Sequence, residues 1–168
     1  STDGSMAYTK GQIIVQLTST SEIIVNDWLE NLLGFVQREN TGAVSGKVFS
    51  KEDRVLHAGM IVAGNNGKNF LNQGIGDDVY GYFAKESMIE NLSAVTAACI
   101  MTKKSAYEET GWMDEGLAVA FNDIDFCLSN FLDKKTKIGV TTNIRVAHNS
   151  VGNLSENWYK NREIINEK

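Results

Sequence analysis

The sequence predicts an α/β fold in which helices flank a mostly parallel or mixed sheet. Segments rich in β-branched residues alternate along the chain with segments whose apolar residues fall at helical spacing, which is typical of this fold class. The 168 residues are 42% hydrophobic and 22% charged, a composition that suits one globular domain with its own core. Ser1–Ser5, ahead of Met6, are predicted to be a cloning remnant, so the predicted domain comprises residues 6–168.

The first half of the chain predicts one helix among several strands. Asp27 begins the helix, and apolar residues recur at helical spacing from Trp28 to Val36, where they are expected to face the core. Thr41-Gly42 ends it. The Gly- and Asn-rich stretch 64–81 is too long for an ordinary connection and predicts a functional loop or lid. The predicted strands are Gln12–Leu17, Ala43–Phe49 and Val55–Val62.

The second half predicts a strand with unusually small side chains, followed by two helices. The middle of Ser93–Thr102 is all small residues, which would admit a ligand or another backbone, or allow tight packing between sheet and helix. Gly111 is expected to end a short helix over Ser105–Thr110. Asn122 is expected to cap a helix that extends to about Asp133. The remaining predicted elements are strands at Lys137–Thr141 and Asn143–Ala147 and a final helix from Ser155.

Two acidic residues at the start of the Asn122 helix are the first candidates for chemistry. Asp123 and Asp125 lie in the first turn, where the positive end of the helix dipole favours an ionised carboxylate. Junctions between a strand and a helix are common positions for functional groups in α/β proteins. First-turn acids also serve merely to cap and solvate a helix, and the residue types alone leave both interpretations open.

Charge and cysteine usage exclude several classes of partner. The net charge is −5 and no basic block is present, which argues against nucleic acid or an anionic membrane as the main partner. No apolar run approaches the ~20 residues of a membrane-spanning helix, and no signal peptide is present. Cys99 and Cys127 lack metal-ligand spacing and predict buried free thiols. The expected location is the cytoplasm, or the inner face of the membrane through partners.

Eight pieces of the chain together resemble a known family. They are Asn26–Leu33, Gly42–Val48, Arg54–Gly59, Gly81-Tyr82, Ser93–Met101, Gly111–Glu115, Val119–Leu128 and Arg145–His148. In this order they resemble the family-two glycosyltransferases of the GT-A fold, which are inverting enzymes that use nucleotide-sugar donors. The resemblance covers nearly the whole chain after about Gly11. It is greatest to the subgroup that builds O-antigen, rhamnan and other cell-surface polysaccharides.

The resemblance implies roles for individual residues. Asp123 stands at the place of the catalytic base, which takes the proton of an acceptor hydroxyl as that hydroxyl attacks the anomeric carbon. His148 matches a histidine near the metal and the diphosphate. Trp112 and Asp114 are expected on the acceptor side, and His57 is expected to have a structural role in its hairpin. The implied substrate-binding residues are Thr96, Ala97, Ala98, Trp112, Asp114, Asn122 and Asp125.

The chain departs from the family pattern in two places. The family's metal-binding Asp-x-Asp motif should lie within Thr18–Thr20, where no carboxylate is present, although Mg²⁺ or Mn²⁺ remains the implied cofactor. The family's nucleoside-binding first half is not matched. The resemblance therefore implies the acceptor-side, C-terminal part of a glycosyltransferase, expected to be inactive alone and to form a homo-oligomer or require a partner.

Two other functions remain open from the sequence. The missing carboxylate is also what a degenerate, non-catalytic binding or assembly module would show. A Ca²⁺-binding module is a further alternative, although no ligand loop has EF-hand spacing. Its ligands would be Asp77, Asp78, Asp123 and Asp125.

Overall fold

The computed structural model describes residues 8–51, 53–62, 68–70, 90–111, 117 and 122–148. The described helices are α1 (Trp28–Val36), α2 (Lys104–Thr110) and α3 (Asn122–Lys134). The described strands are β1 (Ile13–Leu17), β2 (Ser21–Ile23), β3 (Thr41–Phe49), β4 (Val55–His57), β5 (Met60–Val62), β6 (Lys68–Phe70), β7 (Glu90–Leu92), β8 (Cys99–Lys103) and β9 (Lys137–His148). Within these residues, no helix is both long and apolar enough to cross a membrane.

The main sheet is mixed, as the sequence predicts. Its strand order is β1-β8-β3-β9-β2, with β4 added to β3 and β7 added to β9, while β5 and β6 form a separate pair. Among the described pairings of this sheet, β3 with β9 is parallel and the others are antiparallel. The sheet is therefore mixed rather than mostly parallel, and the α/β class is confirmed.

Helices cover both faces of the sheet because neighbouring strand residues point to opposite sides. Ala43 and Ile100 belong to a buried cluster with Tyr107 and Phe126 of α2 and α3, whose rings stack with centroids 4.2 Å apart. The adjacent residues Val44 and Met101 belong to a second cluster, which includes Leu32 and Val36 of α1. The core thus lies in two layers, one on each face of the sheet.

The predicted strand Val55–Val62 is broken in the middle. Gly59 has a φ of +99°, a conformation that side chains rarely adopt, and a Cβ there would run into the side chain of Leu92. His57 is buried and its Nδ1 accepts a hydrogen bond from the Gly59 N–H at 3.0 Å. The turn lets β4 pair with β3 while β5 leaves to pair with β6. This contact of His57 is local to its own turn, and its structural role stays a prediction.

The predicted strand Ser93–Thr102 is also shorter than expected. Only its second half is β8, because side chains take up the backbone N–H groups that precede it. The N–H of Ala97 donates to Asp123, and the N–H of Ala98 donates to Oγ1 of Thr96. The segment at 95–98 consequently leaves the sheet and forms a turn, which we call the small-residue turn.

One long strand replaces the two short strands predicted over residues 137–147. β9 runs unbroken through Lys137–His148, and its pairing register with β3 shifts between Gly46 and Lys47. Ile144 lies at this shift and packs directly over Gly46. Most of the predicted loop 64–81, together with Trp112, Asp114 and the helix expected from Ser155, lies outside the described residues.

Candidate functional site

The candidate site lies at the edge of the sheet where β1 and β9 end and β8 begins. Leu17, the last residue of β1, pairs with Cys99, the first residue of β8. His148, the last residue of β9, pairs with Ser21 at the start of β2. Both pairings meet the short loop over residues 18–20, which we call the hydroxyl loop. Ligand sites of α/β sheets commonly lie at the carboxyl ends of strands, and this edge carries most of the predicted site residues.

Asp123 is positioned by backbone groups at the start of α3. Its Oδ2 accepts a hydrogen bond from the N–H of Ala97 at 3.1 Å, and its Oδ1 accepts one from the N–H of Ile124 at 2.9 Å. Oδ1 of Asn122 in turn accepts a hydrogen bond from the N–H of Asp123 at 2.9 Å. These contacts, together with the helix dipole, favour a negative charge and hold the carboxylate against the small-residue turn.

The small-residue turn joins Asp123 to the hydroxyl loop. The carbonyl of Ala98 accepts hydrogen bonds from Oγ of Ser21 at 2.8 Å and from the N–H of Thr18 at 3.3 Å. Thr96 and Ala97 are half-buried and Ala98 is buried, so the turn has a compact, closely packed surface. A backbone shift in this turn would therefore alter both its contact with Asp123 and its contacts with Thr18 and Ser21.

Three hydroxyl groups and one imidazole form a connected cluster beyond the turn. Oγ1 of Thr18 lies 2.7 Å from Oγ of Ser21 and 3.4 Å from Oγ1 of Thr20. Oγ1 of Thr20 lies 2.9 Å from Nε2 of His148. We call these four residues the hydroxyl–imidazole cluster. Burial lowers the pKa of His148 from 6.5, so its imidazole is neutral at pH 7 and able to act as a ligand or a hydrogen-bonding group.

The cluster does not have the donor set that Mg²⁺ and Mn²⁺ prefer. These ions bind mainly through carboxylate and other charged or carbonyl oxygens, whereas the cluster supplies neutral hydroxyls and one imidazole. Glu22 is exposed and lies on the opposite face of β2 from Ser21, because successive strand residues alternate. Over the part of the chain that the structure describes, no group of three or more His, Cys, Asp or Glu residues could hold a metal ion. The implied metal therefore does not fit the side chains that the structure describes at this edge.

Most of the predicted site residues lie near one another along this edge. Thr96, Ala97 and Ala98 form the turn, Asn122 and Asp123 begin α3, and His148 ends β9. Asp125 is half-buried in the first turn of α3. Trp112 and Asp114 are outside the described residues, and so are Asp77 and Asp78 of the Ca²⁺ alternative. From the sequence, Thr18–Thr20 were predicted only as the place of a missing carboxylate, and Ser21 was given no role. The run of four hydroxyl residues over 18–21 was the signal for their cluster.

A separate groove of about 560 Å³ lies at the opposite edge, where β1 begins and β8 ends. Three lysines line it, and the ammonium groups of two of them donate to backbone carbonyls. Nζ of Lys103 lies 3.0 Å from the carbonyl of Arg38, and Nζ of Lys104 lies 2.8 Å from that of Thr9. Lys103 and Lys104 thus form hydrogen bonds between the sheet end and neighbouring loops. None of the residues of the candidate site lines this groove.

Comparisons with known proteins agree with the geometry at the level of the fold. No family model matches the chain. An uncharacterized protein of Sinorhizobium fredii, y4gI, is 34% identical over 132 residues, which are 75% of this chain and 14% of that protein. The O-antigen biosynthesis protein RfbC of Myxococcus xanthus is 29% identical over 120 residues, which are 70% of this chain and 9% of that protein. The chain thus spans only a small part of the length of these curated relatives.

A solved structure matches the whole fold. It is that of GalNAc-T7 with UDP, GalNAc and Mn²⁺, and the match has a TM-score of 0.68 at 14% sequence identity. The match covers 99% of this chain and 33% of that one. Identity at this level carries the fold and not the chemistry. The chain is a mixed α/β domain with the fold of a GT-A glycosyltransferase.

Proposed function

We propose that this chain is part of a glycosyltransferase that moves a sugar from a nucleotide-sugar donor to a saccharide acceptor. The observation that carries the proposal is the position of Asp123 at the carboxyl-end edge of a GT-A fold. A carboxylate held there by the N–H of Ala97 is connected through the small-residue turn to the hydroxyl–imidazole cluster. The name of the relative RfbC supports the synthesis of a cell-surface polysaccharide as the process.

In the proposed reaction Asp123 is the general base. It takes the proton of an acceptor hydroxyl while that oxygen forms a bond to the anomeric carbon of the donor sugar. The bond between the anomeric carbon and the diphosphate oxygen breaks, and its electron pair leaves with the nucleoside diphosphate. Attack from the side opposite the leaving group inverts the anomeric configuration. The proton remains on the carboxyl group until the product leaves.

The other predicted residues have binding roles in this proposal. Thr96, Ala97 and Ala98 offer little side-chain bulk, which leaves room for a sugar ring against the turn. Asn122 and Asp125 flank Asp123 on α3 and present polar groups to substrate hydroxyls. The acceptor-side roles of Trp112 and Asp114 rest on the sequence resemblance alone.

The proposed activity belongs to a larger assembly than this domain of residues 6–168. The matched part is 14% and 9% of the two relatives, so the nucleoside-binding elements are expected outside it, in the same polypeptide or in a partner. We expect the domain alone to be inactive. The expected site of action is the cytoplasmic side of the membrane, reached through partners.

Replacing Asp123 with Asn in the complete enzyme tests the role of the base. The change removes the basic group and keeps its size, so sugar transfer is expected to fall by a factor of about 10² to 10⁴ while calorimetric donor binding stays nearly unchanged. Asp27→Asn is the matched control, since Asp27 also stands at the start of a helix and makes no side-chain capping bond. Full activity of Asp123→Asn would refute the assignment of the base.

A second candidate function is a non-catalytic saccharide-binding or assembly module with a glycosyltransferase fold. The hydroxyl–imidazole cluster in place of a carboxylate is the observation that favours it. Calorimetric titration with uridine, guanosine and thymidine diphosphate sugars separates the two functions. Binding of one donor favours the enzyme, whereas saccharide binding without any donor binding favours the module.

A further inference from the structure

We infer that the described part of the carboxyl-end edge holds no divalent cation, and that the hydroxyl–imidazole cluster contacts its ligand directly by hydrogen bonds. The inference rests on the proposed function for the identity of that ligand, a nucleotide sugar or its diphosphate. It differs from what the sequence resemblance implies, which is a site for Mg²⁺ or Mn²⁺, and from the Mn²⁺ present in the GalNAc-T7 structure.

The first reason is the placement of the nearby carboxylates. Ser21 and His148 are register partners and lie on one face of the sheet, whereas Glu22 and its partner Ala147 lie on the other. The two oxygens of Asp123 accept hydrogen bonds from the backbone N–H groups of Ala97 and Ile124. Within the described residues, no group of three or more His, Cys, Asp or Glu side chains that could hold a metal ion forms at this edge.

The second reason is that the hydroxyl groups already satisfy one another. Oγ of Ser21 donates to the carbonyl of Ala98 and lies within hydrogen-bond distance of Oγ1 of Thr18. Oγ1 of Thr20 contacts Thr18 on one side and Nε2 of His148 on the other. A cation at this point would gain only neutral ligands, which Mg²⁺ and Mn²⁺ bind weakly.

The third reason concerns what the cluster can do instead. Hydroxyl groups and a neutral imidazole can each donate or accept, so the same residues suit phosphate oxygens and sugar hydroxyls. Thr18 and Thr20 are half-buried, and partial burial strengthens hydrogen bonds to an anion compared with bulk water. A ligand held in this way needs no bridging metal.

Titration with Mn²⁺, followed by the electron paramagnetic resonance signal of the free ion, tests the inference in the complete protein. The wild type is expected to show no Mn²⁺ uptake that depends on His148. The double variant Thr18→Asp/Thr20→Asp places two carboxylates beside His148, because the two native oxygens are only 3.4 Å apart. It is expected to take up Mn²⁺, and Thr20→Asp alone serves if the double variant fails to fold.

Two controls make the comparison specific. Ser19→Asp/Asn26→Asp adds the same charge at two exposed positions, one of them within the hydroxyl loop, and is expected to bind no more Mn²⁺ than the wild type. Adding His148→Ala to the double variant should weaken its Mn²⁺ binding by on the order of 10- to 100-fold or more, since even outer-shell partners contribute that much. Mn²⁺ uptake by the wild type that disappears in His148→Ala would overturn the inference. Failure of a folded carboxylate variant to bind Mn²⁺ would leave the inference standing, because the edge would then hold no cation even with carboxylates added.

Calorimetry of donor binding separates this inference from the proposed function. If EDTA and added Mn²⁺ leave the affinity for the nucleotide sugar unchanged, the inference holds. If donor binding requires Mn²⁺, the inference fails although the proposed function stands. If no donor binds under either condition, the proposed function fails, and the Mn²⁺ titration alone decides whether the edge holds a cation.

Discussion

At the scale of single residues, burial determines the reactivity of the two cysteines. Cys99 and Cys127 are fully buried on opposite sides of the sheet, and desolvation raises their pKa values to about 11 and about 12. At pH 8 both remain thiols rather than nucleophilic thiolates. We expect the folded protein to react very slowly with Ellman's reagent and the urea-unfolded protein to release the signal of both cysteines. Rapid labelling of the folded protein would contradict this burial.

The pH dependence of stability should report on His148. Its folded-state pKa is lowered by desolvation below the ordinary value of 6.5, so the unfolded state binds more protons in the window just below that pH. The contribution of His148 is therefore complete above pH 6.5 and is lost as the pH falls through that window. We expect the stability of the wild type to fall more between about pH 8 and 5 than that of His148→Gln.

Urea unfolding of both proteins across this range measures the difference. The comparison cancels the contribution of His57, which is present in both. An independent check is the NMR titration of the His148 ring, whose midpoint should lie below 6.5. A midpoint above that value, or parallel stability curves for the two proteins, would contradict the expected direction.

Sequence patterns identify some site residues but not their contacts. Asp123 is a candidate from its place at a helix start, whereas His148 becomes a candidate only through the resemblance of Arg145–His148 to the family. The contact between Thr20 and His148 joins positions 128 residues apart and depends on the pairing of β2 with β9. Nothing local to Ser21–Ile23 predicts that this three-residue segment is a strand, because it gains its hydrogen bonds only from its distant partner.

At the scale of elements, the register shift between β3 and β9 depends on the absence of a side chain at Gly46. A Cβ built there would lie 2.6 Å from Cγ2 and 2.9 Å from the carbonyl oxygen of Ile144. Gly46→Ala would therefore force the two strands apart, and we expect it to lower the free energy of unfolding by about 1–3 kcal/mol. Urea denaturation followed by circular dichroism provides the measurement.

The same substitution in α1 is the matched control. Gly34 is exposed within the helix, and a Cβ there would have nothing within 4 Å. Because alanine favours the helix more than glycine does, Gly34→Ala is expected to raise the free energy of unfolding by about 0.5–1 kcal/mol. Opposite signs for the two variants would establish steric crowding at Gly46, whereas stabilisation by both would disprove it.

Element type is easier to predict from the sequence than element limits. α1 and α2 follow from apolar spacing and from Gly111, which has a φ of +78° and ends α2. The limits of β8 could not be predicted in the same way. The N–H groups before β8 are taken by Asp123 and by Thr96, and the Asp123 contact spans 26 residues, so it depends on where α3 packs.

At the scale of the whole molecule, strand order was the property least accessible to the sequence. Alternating strands and helices favour parallel neighbours joined by crossovers, yet among the described strands only β3 and β9 pair in that way. The antiparallel insertion of β8 between β1 and β3 places the small-residue turn beside the hydroxyl loop. The candidate site therefore depends on the strand order. That order cannot be predicted from local sequence patterns, because it is set by pairing between distant strands.

The outermost strand of the main sheet, β1, leads to a prediction about self-association. Within the described residues β1 pairs on one side only, with β8, and its sequence Ile-Ile-Val-Gln-Leu contains no charge that would discourage pairing with another strand. Leu17 ends this strand and is 41% exposed. We expect the isolated domain to form a homo-oligomer through this edge, and we expect Leu17→Lys to weaken the association about tenfold, equivalent to about 1.4 kcal/mol.

Sedimentation velocity over a range of protein concentrations tests this expectation, with Leu132→Lys as the matched control. Leu132 is 65% exposed on α3, so the control removes a comparable apolar side chain and adds the same charge away from the sheet edge. Association that weakens in Leu17→Lys alone would identify β1 as the contact. Equal weakening in both variants would point to net charge, since like charges repel at any surface. A wild type that stays monomeric at every concentration would contradict the expectation.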